Sequence, residues 1–340
     1  MIISAIKSKD LSDKRSVIHP ETIKNLISEG IEVIFESGIG DGIHVDDQIF
    51  IDLGAKAVSR ENCFSDAEII LTPSPIDVHE SKLIASGKTL MGMVNPFENQ
   101  DLLKTFSESN INLVSMEFVP RITRAQKMDV LSSQANLAGY VAVIESSALL
   151  SSAMPMMMTA AGTLKPARVF VIGVGVAGLQ AIATAKRLGA RVEAFDTRDV
   201  VEEQVQSLGA KFVKIDLGET GETSQGYAKE LTDEQLAKQK ELQSKVCERS
   251  DIVITTAQLF GRPAPRIIDN DTIKKMKRGS IVLDMAVESG GNVEGSKVDE
   301  IVEVNGVKIV GISNMASKVA GHASYALSNN FNNWLLEFYD

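Results

Sequence analysis

The stretch RVFVIGVGVAGLQAIATAKRLGARVEAFD, residues 168–196, decides the fold. Its apolar run Arg168–Ile172 predicts a buried strand that leads straight into Gly173, Gly175 and Gly178, spaced as Gly-x-Gly-x-x-Gly. An alanine-rich helical pattern follows through Leu188 and stops at Gly189, and a second apolar run, Arg191–Phe195, ends on Asp196. Strand, tight turn, helix, strand and acid together form the βαβ unit of a dinucleotide-binding fold. Gly173 permits the tight turn, Gly175 lets the backbone approach a pyrophosphate, and Gly178 brings helix against strand. Val174 and Val176 lie within the same turn, and the helix start offers unpaired N–H groups and partial positive charge to phosphates. Asp196, about twenty residues on, stands where an acid hydrogen-bonds the adenosine ribose hydroxyls. Its charge repels a 2′-phosphate and favours NAD(H) over NADP(H), while Arg198, one residue beyond Thr197, places a cation beside the same position.

Outward from this unit, short apolar runs alternate with helical patterns, which predicts parallel sheets covered by helices. The later strand candidates are Arg168–Ile172, Arg191–Phe195, Lys211–Ile215, Asp251–Thr256, Ser280–Met285 and Lys308–Ile312, a doubly wound count of six. The earlier ones are Ile2–Ile6, Glu32–Glu36, Glu68–Leu71, Thr89–Val94 and Ile111–Met116, with helices over Glu21–Glu29 and Asn99–Ser109. Gly38-Ile39-Gly40-Asp41-Gly42 lacks a third glycine and a following helix, and reads as a turn. The C-terminal helical run Tyr325–Tyr339 is expected to return to the first domain. The expected architecture is therefore α/β, with two Rossmann-like doubly wound parallel-sheet domains and a cleft between them. Residues 1–135 with 318–340 form one domain, and 136–317 the nucleotide-binding one. Within the latter, 146–164 is uncharged but carries serines, threonines, Pro155 and Gly162, so it reads as buried helix and loop rather than a membrane span. Residues 217–231, Gly- and Thr-rich around Tyr227, form a long loop that reads as a lid or as a plain surface excursion.

The chain has 340 residues, enough for two cores, with 44% hydrophobic and 24% charged residues. A net charge of -10 disfavours nucleic acid and anionic membrane surfaces as partners. Cys63 and Cys247 stand far apart, and His19, His44, His79 and His322 are equally scattered, so neither a metal site nor a disulfide framework is expected. The N-terminus has neither signal nor transit character, and the chain is expected to be soluble.

One further segment carries chemistry: Arg121-Ile-Thr-Arg-Ala-Gln-Lys-Met-Asp-Val-Leu-Ser132 gathers guanidinium, amide, carboxylate and hydroxyl groups upstream of the glycine turn. These groups suit the orientation of a carboxamide and a ribose, and none is an obvious acid–base catalyst. A helix start capped by Ser132 and Ser133 explains part of the same pattern.

These motifs resemble the NAD(H)-binding domain I of proton-translocating nicotinamide nucleotide transhydrogenase. The likeness rests on 121–140, 155–163, 173–190, 203–211, 226–230, 255–257 and 261–265, and extends over nearly the whole chain. It implies that Arg121, Gln126, Asp129 and Ser132 surround the nicotinamide end as the catalytic set, with Ile122, Thr123, Lys127 and Met128 as neighbouring cofactor contacts. It implies that Gly226 and Tyr227 belong to a mobile loop over NAD(H), with Gln239 on the helix after it, and that Ala257 and Gln258 lie on the adenine side. It further implies a homodimer at the cytoplasmic face of the inner membrane, peripheral to it. The partners would be an NADP(H)-binding domain and a membrane-embedded proton-channel subunit. Two positions depart from the pattern: Lys127, where a small residue is common, and Gln258-Leu259-Phe260, where an aliphatic residue precedes Pro-Gly. Contacts near Gln258 therefore stay open.

Two alternatives stand beside this reading. The fold also resembles alanine dehydrogenase, for which Arg15 offers a carboxylate-binding arginine, but Leu71–Pro75 holds no lysine and Thr89–Pro96 no histidine. Amino-acid oxidation needs a base, so that mechanism lacks its groups. A module that senses NAD(H) without catalysis is the other.

Overall fold

The computed structural model describes residues 1–215 and 232–338. They divide into two compact units, Met1–Gln134 with Ala316–Asp340, and Ala135–Met315.

The first unit holds a six-stranded parallel sheet of β1 (Ile2–Ala5), β2 (Glu32–Glu36), β3 (Lys56–Val58), β4 (Ile69–Thr72), β5 (Thr89–Gly92) and β6 (Asn112–Ser115), in the order β3-β2-β1-β4-β5-β6. Its helices are α1 (Pro20–Ser28), α2 (Asp47–Asp52), α3 (Arg60–Asp66), α4 (Val78–Ser81) and α5 (Gln100–Glu108). The sequence shows where α1 begins: Pro20 takes the first turn, and His19 and Thr22 cap each other's backbone N–H groups. Ile23 and Leu26 from α1, Phe35 and Phe50, and Leu327, Phe331 and Leu335 from the C-terminal helix bury one sheet face. Phe64 from α3 and Leu102 and Phe106 from α5 bury the other. Both faces are covered, so β1 and β4 are mostly apolar rather than alternating, and the buried Ser4 of β1 donates its hydroxyl to the Cys63 carbonyl at 2.8 Å.

The helix α6 (Val130–Leu149) is followed by a hairpin, β7 (Met157–Thr159) with β8 (Gly162–Leu164). All six residues of its strands are exposed, which corrects the expectation of a buried helix and loop over 146–164. Two three-residue strands cannot cover their own side chains, so Met158 remains 82% exposed.

The second unit contains β9 (Arg168–Ile172), β10 (Arg191–Phe195), β11 (Lys211–Phe212), β12 (Ile252–Thr255), β13 (Ile281–Asp284), β14 (Ile301–Val304) and β15 (Val307–Gly311). The order is β11-β10-β9-β12-β13-β15-β14, parallel except for the last pair. Helices α7 (Val176–Arg187), α8 (Glu202–Ser207), α9 (Asp233–Glu248) and α10 (Asn270–Lys275) belong to it, and α11 (Ala320–Phe338) follows in the first unit. Phe170, Val253, Val282 and Ile309 form its core with Val246, Cys247 and Ile273 from α9 and α10.

Besides the β7–β8 hairpin, two strands of the large sheets, β3 and β14, are absent from the sequence-based expectation. β3 has only three residues at a sheet edge, too few to show a period. β14 pairs antiparallel with β15 across Asn305-Gly306, both at positive φ, the Asn-Gly signature of a two-residue hairpin. Both sheets keep the doubly wound order, which places the crevice for a ligand at the carboxyl ends of β1/β4 and of β9/β12.

Phe331→Ala is expected to destabilise the first unit by about 3–5 kcal/mol, the usual cost of emptying a buried aromatic site. Urea unfolding followed by Trp334 fluorescence reads this, and a loss below about 1 kcal/mol would show that α11 is not part of that core.

Candidate nucleotide-binding site

At the end of β9 the chain turns at Gly173, whose φ of +95° lies in the left-handed region that suits glycine. A Cβ at Gly178 would collide with the Gly173 carbonyl, so the first turn of α7 sits directly on the end of its strand. Gly175 is different. Apart from its own chain neighbours, no described atom lies within 4 Å of a Cβ placed there, and its φ of −85° is open to any residue. Nothing among the described residues requires glycine at 175, and its bare backbone leaves room for a ligand to lie close. This open cradle beneath the first N–H groups of α7 fits a pyrophosphate.

Neighbouring elements fix the turn. Thr256, just past β12, donates its Oγ1 proton to the Gly173 carbonyl at 3.0 Å. On α6, Gly139 leaves no room for a Cβ beside the Ala177 carbonyl, so the two helices meet backbone to backbone. Asp196 ends β10, 9% exposed, and its Oδ2 accepts the Val174 N–H at 2.7 Å. Its Oδ1 accepts the Arg198 N–H at 2.9 Å, and the Arg198 guanidinium pairs with both oxygens. Asp196, Thr197 and Arg198 thus form one corner locked to Val174.

A second polar cluster, unforeseen from the sequence, holds the segment after β12. Asp284 and Asn292 are both fully buried. The Asp284 carboxylate accepts N–H groups of Ala286, Asn292 and Val293 at 3.0–3.1 Å. The Asn292 amide donates to the Ala257 and Pro265 carbonyls, each at 2.8 Å, and accepts the Ala257 N–H at 3.1 Å. Ala257 is therefore clamped at both backbone groups, while Gln258 donates its amide to the Met285 carbonyl at 3.1 Å. The dipeptide Gly290-Gly291 before Asn292 marks a turn in the sequence, and nothing local there marks its Asp284 partner at a strand end. On α9, Gln239 Oε1 and both amide atoms of Gln243 are buried without a hydrogen-bond partner among the described residues. Gly226 and Tyr227 lie outside the described residues.

The first unit carries the other candidate group. Thr123–Met128 is a 3-10 turn, and Asp129 after it caps α6. Its carboxylate accepts the Ser132 N–H at 2.9 Å and the Ser132 hydroxyl at 2.6 Å. The expected serine cap is thus corrected: the acid caps, and Ser132 is its partner. Arg121 Nε stands 4.0 Å from Asp129 Oδ2, so Arg121, Asp129 and Ser132 come together. Ile122, Thr123 and Gln126 are exposed on the turn. Lys127 and Arg124 both pair with Glu337 of α11, and Asn330 and Asn333 donate to the Lys127 carbonyl. Met128 is buried and lines an apolar cavity of about 740 Å³ with Phe97, Phe118, Trp334 and Phe338. The turn is pinned from behind by α11, which leaves Gln126 displayed on its outer side.

Among the described residues, no group of three or more His, Cys, Asp or Glu side chains converges as metal ligands do. Burial pushes the Cys63 and Cys247 thiols up to about 12, which leaves them protonated and unreactive at neutral pH. No helix of the described residues is long and apolar enough to cross a membrane.

Two doubly wound sheets, one with a glycine turn locked to a strand-end acid at its switch point, define a Rossmann-type protein of the dinucleotide-binding class. Two family models cover the chain: the alanine dehydrogenase/PNT N-terminal domain over residues 6–138 and the C-terminal domain over 142–340. The chain is 44% identical over 340 residues to the first part of the NAD(P) transhydrogenase alpha subunit of Rickettsia prowazekii, covering 98% of this chain and 89% of that one. The namesake of Rhodospirillum rubrum is also 44% identical, over 100% of this chain and 91% of its own length. A crystal structure of transhydrogenase from Sinorhizobium meliloti superposes with a TM-score of 0.91 at 41% identity, covering 100% of this chain and 93% of that one. The chain belongs to the alanine dehydrogenase/PNT family, as a relative of the NAD(P) transhydrogenase alpha subunits.

Asn292→Ala is expected to cost about 2–5 kcal/mol, because it strands the buried Ala257 and Pro265 carbonyls and the Ala257 N–H. Hydrogen exchange should then accelerate at Ala257 before it does in β12. Unchanged exchange there would show that the Asn292 clamp does not hold the segment.

Proposed function

We propose that this chain is the NAD(H)-holding component of a proton-translocating transhydrogenase, presenting NADH for direct hydride transfer to NADP+ carried by a partner domain. The single observation that carries this reading is the glycine turn: an open cradle at Gly175 that the fold does not demand, with Asp196 locked beside it. The relatives' names support the transhydrogenase assignment, and an alpha subunit divided into parts supports assembly with further chains.

NAD(H), when bound, supplies or accepts the hydride. The chain's own residues then have to bind, orient and keep water away, since hydride exchange between two nicotinamide rings requires no proton transfer to a side chain. The amides around Gly175 and Val176 hold the pyrophosphate. Asp196 orients the adenosine ribose, with Thr197 and Arg198 at the same corner, and Ala257 and Gln258 flank the adenine side. Gln126, on the exposed side of its pinned turn, orients the carboxamide. Arg121, Asp129 and Ser132 form a charge-balanced group that presents hydroxyl and carboxylate oxygens to the nicotinamide ribose. Gln239 on α9, whose buried amide oxygen has no hydrogen-bond partner among the described residues, joins the set through the family resemblance. Gly226 and Tyr227 enter this reading through family resemblance alone.

The assembly in this reading is a homodimer that docks on an NADP(H)-binding domain and, through it, on a proton-channel subunit in the inner membrane. The chain itself would sit on the cytoplasmic side, without inserting into the bilayer.

The alanine dehydrogenase reading asks Arg15 to take a substrate carboxylate, but three of its five N–H donors are already engaged, two at 2.8 Å with the two oxygens of Asp13 and one at 3.2 Å with Gln134, which speaks against that role.

Mixed with an NADP(H)-binding partner domain, the chain should transfer hydride from NADH to an NADP+ analogue, read by stopped-flow absorbance. NADH binding without transfer would leave a sensing module, and alanine-dependent NADH formation would favour the dehydrogenase. Gln126→Ala should lower the transfer rate about tenfold or more while changing NADH affinity little, because it removes positioning rather than uniform binding. An equal fall in both would make Gln126 a simple binding residue.

A further inference from the structure

Asp196 is the acid that the proposed function assigns to the adenosine ribose, yet its acceptor positions are all engaged by the protein. A carboxylate offers about four lone-pair positions. Oδ1 takes the Arg198 N–H and Arg198 Nε, both at 2.9 Å. Oδ2 takes the Val174 N–H at 2.7 Å and Arg198 Nη2 at 2.9 Å. Nη2 also donates to the Val174 carbonyl at 3.1 Å. The pair is well shielded, with side-chain exposures of 15% for Arg198 and 7% for Asp196.

These four donors differ in kind. The Val174 and Arg198 N–H groups are backbone, fixed by the glycine turn and by the corner after β10. The other two belong to one guanidinium at the end of a flexible side chain, which rotation about its torsions can withdraw. A ribose diol likewise brings two adjacent donors to one carboxylate. Ribose and guanidinium are therefore rivals for the same two positions, and the backbone donors stay in place for either.

We propose that Arg198 is a displaceable specificity residue, whose guanidinium competes with the adenosine ribose hydroxyls for Asp196. This deepens the proposed function and rests on its reading of Gly173–Gly178 and Asp196 as the adenosine end of an NAD(H) site. Two consequences follow from the geometry. Every docking event must first break a fork-shaped ion pair, which weakens adenosine affinity and speeds release. The released guanidinium, tethered two residues from Asp196, then lies within reach of a 2′-phosphate, so it offsets the repulsion by which Asp196 rejects NADP(H). Arg198 thus sets both the strength of binding and the margin of discrimination. The acid explains the preference for a free diol, and the arginine limits how strong that preference is.

The test uses the full chain and two nucleotides without a nicotinamide ring, ADP-ribose and its 2′-phosphorylated form, titrated by calorimetry. Arg198→Ala should bind ADP-ribose about three- to tenfold more tightly than the native chain, the scale of a partly shielded ion pair that no longer has to be broken. It should bind the 2′-phosphorylated form more weakly, so that the ratio of the two affinities rises about tenfold or more. Arg198→Lys separates the two effects: an ammonium cannot span both oxygens, so ADP-ribose should tighten, but the charge remains and the ratio should change less. Circular dichroism checks that each variant folds, and if the alanine variant does not, the lysine variant decides. If the native chain binds ADP-ribose and both folded variants bind it no more tightly, the competition is refuted while the NAD(H) reading stands. If the native chain binds neither nucleotide, both fall together.

Discussion

The structure depends on the contact between the Gly178 backbone and the Gly173 carbonyl at the end of β9. With a side chain at 178 the helix would have to lift off the strand, and the N–H groups at its head would no longer face the crevice where the sheet order reverses. Everything else around the turn preserves that approach. Gly139 lets α6 press on Ala177, the Thr256 hydroxyl holds the Gly173 carbonyl, and Asp196 holds the Val174 N–H. The buried polar groups are satisfied in pairs, so the turn is rigid without relying on apolar packing at the point where a phosphate would lie.

The first unit solves a different problem. Its turn at Thr123–Met128 carries the polar candidates, and such a short 3-10 segment has little stability of its own. Glu337 takes Lys127 and Arg124, and Asn330 and Asn333 take the Lys127 carbonyl, so the C-terminal helix serves as the backing of the turn. Asp129 and Ser132 then close on each other at the start of α6. Asp129, Ser132 and Arg121 are engaged with one another, an arrangement that fixes the orientation of each.

How much of this was legible depends on distance along the chain. The unit from Arg168 to Asp196 was readable because strand, turn, helix and acid follow one another within one segment. The Asp129–Ser132 pair lies three residues apart, and the sequence showed both members but assigned the cap to the serines, whereas the acid accepts and Ser132 donates. By contrast, the Asn292 clamp joins Ala257 across 35 residues, and the Lys127 carbonyl meets Asn330 across 203. No local pattern marks such partners. β3 was too short to show a period, whereas β14 was announced by Asn305-Gly306 and could have been read. The fork between Arg198 and Asp196 is two residues wide, yet the sequence shows only a nearby cation, and its bidentate geometry is a property of the folded corner.

In the proposed function the cradle at Gly175 receives the pyrophosphate of NAD(H). A crystal structure of the chain grown with NADH tests it most directly. The account predicts pyrophosphate density against the N–H groups at the head of α7, with the adenosine on the Asp196 side. A nucleotide bound elsewhere, or a turn still open to solvent at saturating NADH, would contradict it.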